Sequence, residues 1–191
     1  MRVIAGEKRH LPLKSVPGMD TRPTQDKIKE TLFNILQMDV PGSRFLDIFA
    51  GTGGIGIEAL SRGAEFAAFI DSSRAAVKCI EENLAFTGLS EKALVFGKDV
   101  LPALRMCEKL EPFDLVYIDP PYGKGLEEEV LTYLSTSSII TKGSLLIVEA
   151  GLGTEFGYLD DFGFTMTRCK KYKTNMHVFL RKKDAGEREN D

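Results

Sequence analysis

Just past the middle of the chain, Asp119-Pro120-Pro121-Tyr122 combines groups that could act together on a planar amine. A carboxylate and a backbone carbonyl can each accept one N–H of an exocyclic NH2, and an aromatic face can stack on the ring that carries it. Proline fixes φ and supplies no N–H, so Pro120-Pro121 is a stiff exit that cannot continue a strand ladder. The apolar run before it, Leu115 to Ile118, reads as a strand buried on both faces. Asp119 then stands at the carboxyl end of a strand, where open α/β sheets bind their ligands. Asp-Pro-Pro taken alone is as readily a turn. The aromatic after the prolines and the apolar run before them weigh against that, and the rest of the chain decides.

A second constellation is Gly51-x-Gly53-x-x-Gly56, between an apolar strand at residues 44–50 and a helical run at 57–62 closed by Gly63. Strand, glycine loop and helix in that order form a nucleotide-type binding turn, because the glycines let a ligand approach the backbone. The spacing matches the dinucleotide fingerprint, so an NAD-dependent reductase is one reading. Asp47 counts against it, since a carboxylate just before the loop opposes a pyrophosphate and favours an ammonium or a sulfonium. Asp71 closes a second strand at 66–70, placed for two ribose hydroxyls, and Asp99 follows a third at 94–96. S-adenosylmethionine, with its α-amino group, sulfonium, ribose and adenine, fits Asp47, Asp71 and Asp99 in turn.

These groups need a frame, and the hydrophobic pattern supplies one. A short β-hairpin is expected over residues 1–13 with basic residues at its turn, then a loop, then a helix over 25–36 with Thr24 as N-cap. Strands at 44–50, 66–70, 94–96, 115–118 and 144–149 alternate with helices at 57–62, 74–86, 101–110 and 126–134. Two alternating segments, 162–168 and 175–181, close the chain as an antiparallel hairpin at the sheet edge. The expected fold is α/β: a Rossmann-like, seven-stranded, mostly parallel sheet with an antiparallel last strand. One domain is expected over 1–183, made of an N-terminal extension (1–40) and a catalytic core (41–183). Residues 184–191 read as a disordered polar tail.

The 191 residues, 43% hydrophobic and 28% charged, suit a single soluble domain. No apolar stretch reaches the roughly 18 residues of a membrane span, so a cytoplasmic protein is expected. Three dispersed cysteines and two histidines offer neither a disulfide framework nor a metal site. The net charge of −3 is unevenly spread. Residues 1–30 carry seven Lys/Arg against four Asp/Glu and residues 161–183 seven against one, whereas residues 31–160 carry ten against nineteen. Basic ends around an acidic middle fit a polyanion held at the periphery and a cationic or neutral small molecule at the centre; solvated charged faces are the plainer alternative.

The motif Asp47-Ile48-Phe49-Ala50-Gly51-Thr52-Gly53-Gly54-Ile55-Gly56 followed by Asp119-Pro120-Pro121-Tyr122 resembles the class I S-adenosylmethionine-dependent amino-methyltransferases. Within them, Arg2-Val3-Ile4-Ala5-Gly6, Arg22-Pro23-Thr24 and Lys29-Glu30-Thr31-Leu32-Phe33 resemble the RsmD family, which methylates guanine N2 in bacterial 16S ribosomal RNA. The resemblance spans roughly residues 1–182.

It implies Asp119, Pro120 and Tyr122 as catalytic residues, with Asp47, Phe49, Gly51, Gly53, Asp71 and Asp99 for S-adenosylmethionine. Substrate contacts are expected from Pro121, Arg22, Lys8, Arg9, Lys170 and Lys171, and no metal is expected. Lys173 is a further candidate for a phosphate contact, whereas Glu149 could assist the base pocket or simply end a strand. The partner would be 16S rRNA in the small subunit, met by a monomer. A DNA, adenine-N6 or cytosine-N4 enzyme would share the amine slot, and an inactive RNA-binding module would share the basic ends.

Overall fold

The computed structural model describes residues 1–16 and 23–183, without the side chains of residues 23–25. Its centre is a seven-stranded sheet in the order β3-β2-β1-β4-β5-β7-β6. The strands are β1 (Arg44–Ile48), β2 (Phe66–Ile70), β3 (Ala93–Phe96), β4 (Phe113–Ile118), β5 (Ile140–Gly151), β6 (Phe164–Lys171) and β7 (Asn175–Lys182). The first five pair in parallel, and β7 is antiparallel to both β5 and β6. β1 and β4 form the parallel centre, with Leu46, Ile48, Val116 and Ile118 buried on one face and Phe45, Leu115 and Tyr117 on the other. Strands covered on both sides give unbroken apolar runs, which makes them readable from sequence.

The helices divide between the two faces. α1 (Pro23–Ile35), α2 (Gly54–Ser61) and α3 (Arg74–Thr87) pack Leu32, Phe33, Ile57, Leu60, Ile80 and Leu84 on one. α4 (Val100–Cys107) and α5 (Leu126–Thr136) pack Leu104, Cys107, Val130, Leu131 and Leu134 on the other. The sheet is therefore doubly wound, and its strand order reverses between β1 and β4. The carboxyl ends of those two strands lie side by side, since Asp47 pairs with Tyr117 and Ile48 with Ile118. That is the topological switch point, where ligands bind in such sheets.

Two details differ from the sequence reading. The N-terminal hairpin reduces to one bridge, Arg2 with Pro12, plus backbone hydrogen bonds such as Val3 N–H to the Leu11 carbonyl at 3.0 Å. The positive φ of His10 (73°) breaks the second strand. α1 starts at Pro23, a residue suited to the first helical position, so Thr24 lies inside the first turn instead of capping it. In the closing hairpin, β7 inserts between β5 and β6 and leaves β6 at the edge. β6 carries Arg168, Lys170 and Lys171 along its length, charge that protects an edge strand from pairing with another chain. The expected tail, residues 184–191, lies outside the described residues.

The N-terminal segment is fastened to α2 by one buried carboxylate. Glu58 accepts the N–H groups of Ile4 (2.8 Å) and Ala5 (3.0 Å), and pairs with Lys29 (3.3 Å) and Arg62 (2.8 Å). Lys29 Nζ also donates to the Arg2 carbonyl at 2.7 Å. Both charges of the Glu58–Lys29 pair are buried, and each needs the other.

Candidate active site

The loop after β1 is held from beneath and from the side. Asp47, fully buried at the end of β1, accepts the Gly56 N–H at 2.9 Å. At the end of β2, Asp71 accepts the Gly51 N–H (2.8 Å) through one oxygen and the Ser73 N–H (2.8 Å) through the other. Gly51 and Gly53 take positive φ values of 58° and 74°, which glycine adopts without cost. Phe49 does so as well, at 63°, a conformation that costs a bulky residue of order 1–3 kcal/mol and persists only when its surroundings impose it. Burial pushes the Asp47 carboxyl up to about 8, against the pull of the Gly56 hydrogen bond and with help from the Asp71 charge.

Above this loop is a cavity of about 560 Å³, lined by Phe49, Gly51 and Asp71 on one side and by Asp119, Pro120 and Tyr122 on the other. Its volume is in the usual range for a small-molecule site, about 300–1,000 Å³. A second cavity of about 120 Å³ lies against Asp119 and has different walls. Met1, together with Ile28 and Leu32 of α1 and Ile55 of α2, makes its apolar side, with Lys29 among them, and Tyr117, Asp119, Glu149 and His177 make its polar end. Asp119 lines both cavities. Burial, reinforced by the charges of Glu149 and Asp47, holds its carboxyl well above the ordinary carboxylate range.

Glu149 is the hub of the polar end. One of its oxygens accepts from the Tyr122 hydroxyl (2.8 Å) and the Asn175 side-chain amide (2.6 Å). The other accepts from the Tyr117 hydroxyl and lies 3.1 Å from His177 Nε2. Tyr172 closes the set, its hydroxyl 3.2 Å from His177 Nδ1. Burial alone would raise the Glu149 carboxyl, but hydrogen bonds from His177, Tyr117 and Tyr122 and the nearby His177 charge hold it down at about 2. Two carboxyl groups on one small cavity are thus pushed in opposite directions, one toward its neutral form and one fixed as an anion.

The family model described as Conserved hypothetical protein 95 matches residues 1–181. Ribosomal RNA small subunit methyltransferase D of Escherichia coli K12 is 37% identical over 152 residues, covering 78% of this chain and 74% of the relative. The protein of the same name from Haemophilus influenzae is 36% identical, covering 78% of each chain. The chain belongs to the RsmD family. Among solved structures, Escherichia coli yhhF superimposes with a TM-score of 0.80 at 30% identity, over 96% of this chain and 98% of its own. The Thermus hypothetical protein TTHA0928 gives a TM-score of 0.79 at 25% identity, over 95% and 99%.

In this RsmD family member the residues expected from sequence fall into three groups. Phe49, Gly51, Asp71, Asp119, Pro120, Pro121 and Tyr122 meet at the larger cavity. Asp47 and Gly53 are not among its lining residues; Asp47 acts on the loop through Gly56, and Gly53 precedes α2. Asp99 is exposed at the N-terminus of α4 and caps it with no side-chain hydrogen bond. Among the basic residues, Lys170 pairs with His177, and His177 with Glu149, so Lys170 and Lys171 stand level with the polar cluster two strands away. Lys8 is elsewhere: its N–H bonds the Ser61 hydroxyl at the far end of α2, and its ammonium pairs with Glu7. Arg9 lines a groove with Arg2 and Lys27 beside α1. Arg22 lies outside the described residues. Sequence reasoning gives little weight to Glu149 and His177, although a signal exists: each is a polar residue interrupting an apolar strand, and the structure pairs the two in register.

Proposed function

We propose that this protein transfers a methyl group from S-adenosylmethionine to the N2 amine of a guanine in 16S rRNA of the small ribosomal subunit. The observation that carries this reading is the position of Asp119, which lines both the larger, cofactor-sized cavity, where Pro120 and Tyr122 stand beside it, and the smaller one next to it. The relatives named small subunit rRNA methyltransferase D support rRNA as the substrate class.

S-adenosylmethionine suits the larger cavity chemically: the acidic residues there favour its cationic end and would repel a dinucleotide pyrophosphate. Asp71, with free lone pairs beyond its two backbone partners, would hold the ribose, Phe49 would pack on the adenine, and Asp47 would steady the loop under the methionine end. When bound, the cofactor supplies a methyl group on a sulfonium, open to in-line displacement. The chain's part is to present the amine. The guanine N2 lone pair is delocalised into the ring, so Asp119 and the Pro120 carbonyl, each accepting one N–H, would turn it toward the methyl carbon. No covalent enzyme intermediate is required. Tyr122, 48% exposed and anchored through its hydroxyl to Glu149, offers its ring as a stacking platform for a base that has left its own stack.

The test is transfer of labelled methyl to undermethylated 30S particles, with nucleoside analysis and an Asp119→Ala control. N2-methylguanosine that vanishes in the control is the expected product. N6-methyladenosine would overturn the choice of base while leaving the amine chemistry intact.

A further inference from the structure

Any amino-methyltransferase needs an acceptor for the amine, and guanine, adenine and cytosine all carry one. What separates them is the ring atom beside the amino carbon. In guanine that neighbour, on the edge away from the sugar, is N1–H, a donor; in adenine it is N1 and in cytosine N3, both acceptors. A base entering from an RNA strand leads with the edge remote from its sugar. A group beside the one that takes the amine therefore meets N1–H in guanine and a lone pair in the other two.

The small cavity places a carboxylate there. At about 120 Å³ it is well below the size of a nucleotide site and suits one base. Its apolar side is flanked by α1 and α2, and its polar end holds Glu149 beside Asp119. Glu149 carries its charge permanently, because Tyr117, Asn175 and His177 surround it from β4 and β7. The fourth partner, the Tyr122 hydroxyl, differs from these: it belongs to a half-exposed side chain beyond the end of β4. The carboxylate thus has three fixed partners and one that can exchange.

We infer that Glu149 selects guanine, accepting the N1–H of the target base at the seat that the Tyr122 hydroxyl fills in the free protein, while Asp119 and the Pro120 carbonyl take the N2 amine. The inference rests on the guanine-N2 reading above. A neutral acceptor would tolerate adenine or cytosine after reorientation; an anion fixed by three donors repels their lone pairs. Stacking on Tyr122 and reading by Glu149 become one event, since the ring must release the carboxylate as the base arrives.

The test uses 30S particles reconstituted with 2-aminopurine at the nucleotide that the wild-type enzyme methylates. That base keeps the N2 amine but lacks O6 and so has a lone pair at N1. Wild-type enzyme should methylate it at least about a hundredfold more slowly than guanine, as expected when a site built for a donor meets an analogue lacking it. Equal rates within threefold would overturn the inference. Glu149→Gln, whose amide can offer either a donor or an acceptor, should narrow the gap below about tenfold while S-adenosylmethionine binding, read by calorimetry, is unchanged. A folded Glu149→Gln enzyme that loses activity on both bases by one factor would also overturn it, for Glu149 would then only hold Tyr122. Tyr122→Phe separates the two roles: whatever it costs in rate, the ratio between the bases should stay at the wild-type value. Should Glu149→Gln fail to fold, the wild-type comparison still decides. A wild-type product other than N2-methylguanosine would instead overturn the proposed function itself.

Discussion

At the scale of single residues the site is governed by where negative charge is tolerated. Asp119 has a folded-state pKa well above the ordinary value because it is buried beside Glu149 and Asp47. As a neutral acid it has one oxygen fewer to accept the amine and cannot take up its proton. The acid limb of a kcat/KM profile should therefore lie above the usual carboxylate range, with activity rising as pH rises through the raised pKa. Glu149→Gln removes the like charge and should move that limb down toward the ordinary carboxylate range. An unmoved limb would place the titration elsewhere. Asp47 gives a stability prediction of definite sign. With its folded-state pKa at about 8 against an ordinary 3.8, it favours the folded state fully below the ordinary value and loses that contribution as pH rises through about 8. The slope is up to about 1.4 kcal/mol per pH unit within that window. Asp47→Asn keeps an acceptor for Gly56 without the buried charge, so its melting temperature at pH 8 should exceed the wild-type value. Its affinity for S-adenosylmethionine should fall below the wild-type value only as pH rises toward and past about 8, where wild-type Asp47 carries the charge that attracts the cofactor's cationic end. Differential scanning fluorimetry from pH 4 to 8, with calorimetric titration of the cofactor, reads both.

At the scale of elements, the parts legible in the sequence are those whose burial is uniform. β2 falls on residues 66–70 as expected, and the apolar core of β4 emerges because both faces of the sheet are covered. The N-terminal hairpin is present but short: alternation over a few residues does not show how far the backbone closes a ladder, and here the φ of His10 limits it to one bridge and a few hydrogen bonds. The polar cluster is underread for a different reason. Tyr117, Glu149 and His177 come from three strands, and only the pairing of β5 with β7 brings Glu149 onto His177. A register between distant strands cannot be read from spacing along one chain. Glu58 is a similar case, a lone acid in an apolar helix that proves to fasten residues 4 and 5 to α2. Glu58→Gln leaves Lys29 buried without its anion, which should cost about 3–5 kcal/mol in chemical denaturation. Amide hydrogen exchange should rise across residues 1–13 more than in β1 and β4. Uniform loss of protection would mean that the segment folds with the sheet as one unit.

At the scale of the whole molecule, the proposed function asks how a chain of net charge −3 would hold an RNA particle. Asp71, Asp119 and Glu149 line the cavities, so the phosphates of a bound RNA would be gripped from the rim. Lys170 and Lys171 are placed for this: they lie on the edge strand, level with Glu149 and two strand spacings, about 10 Å, from it. A base drawn into the small cavity would leave its flanking phosphates near that rim. Lys8, by contrast, sits at the opposite end of α2, which at eight residues is about 12 Å long, and is already paired with Glu7. The two sites predict different outcomes. Replacing Lys170 and Lys171 together by Ala should weaken binding to 30S particles by about tenfold or more near 100 mM salt. It should also lower the slope of log K against log salt by about two, one for each phosphate left without its ammonium. The rate at saturating particle should be nearly retained, because neither ammonium reaches the amine. Lys8→Ala should change neither affinity nor slope. If Lys8→Ala proved the more damaging, the RNA would approach from the amino ends of the strands. The target base could then not enter between α1 and Asp119, so this one comparison tests the direction of approach on which the assignment of both cavities depends.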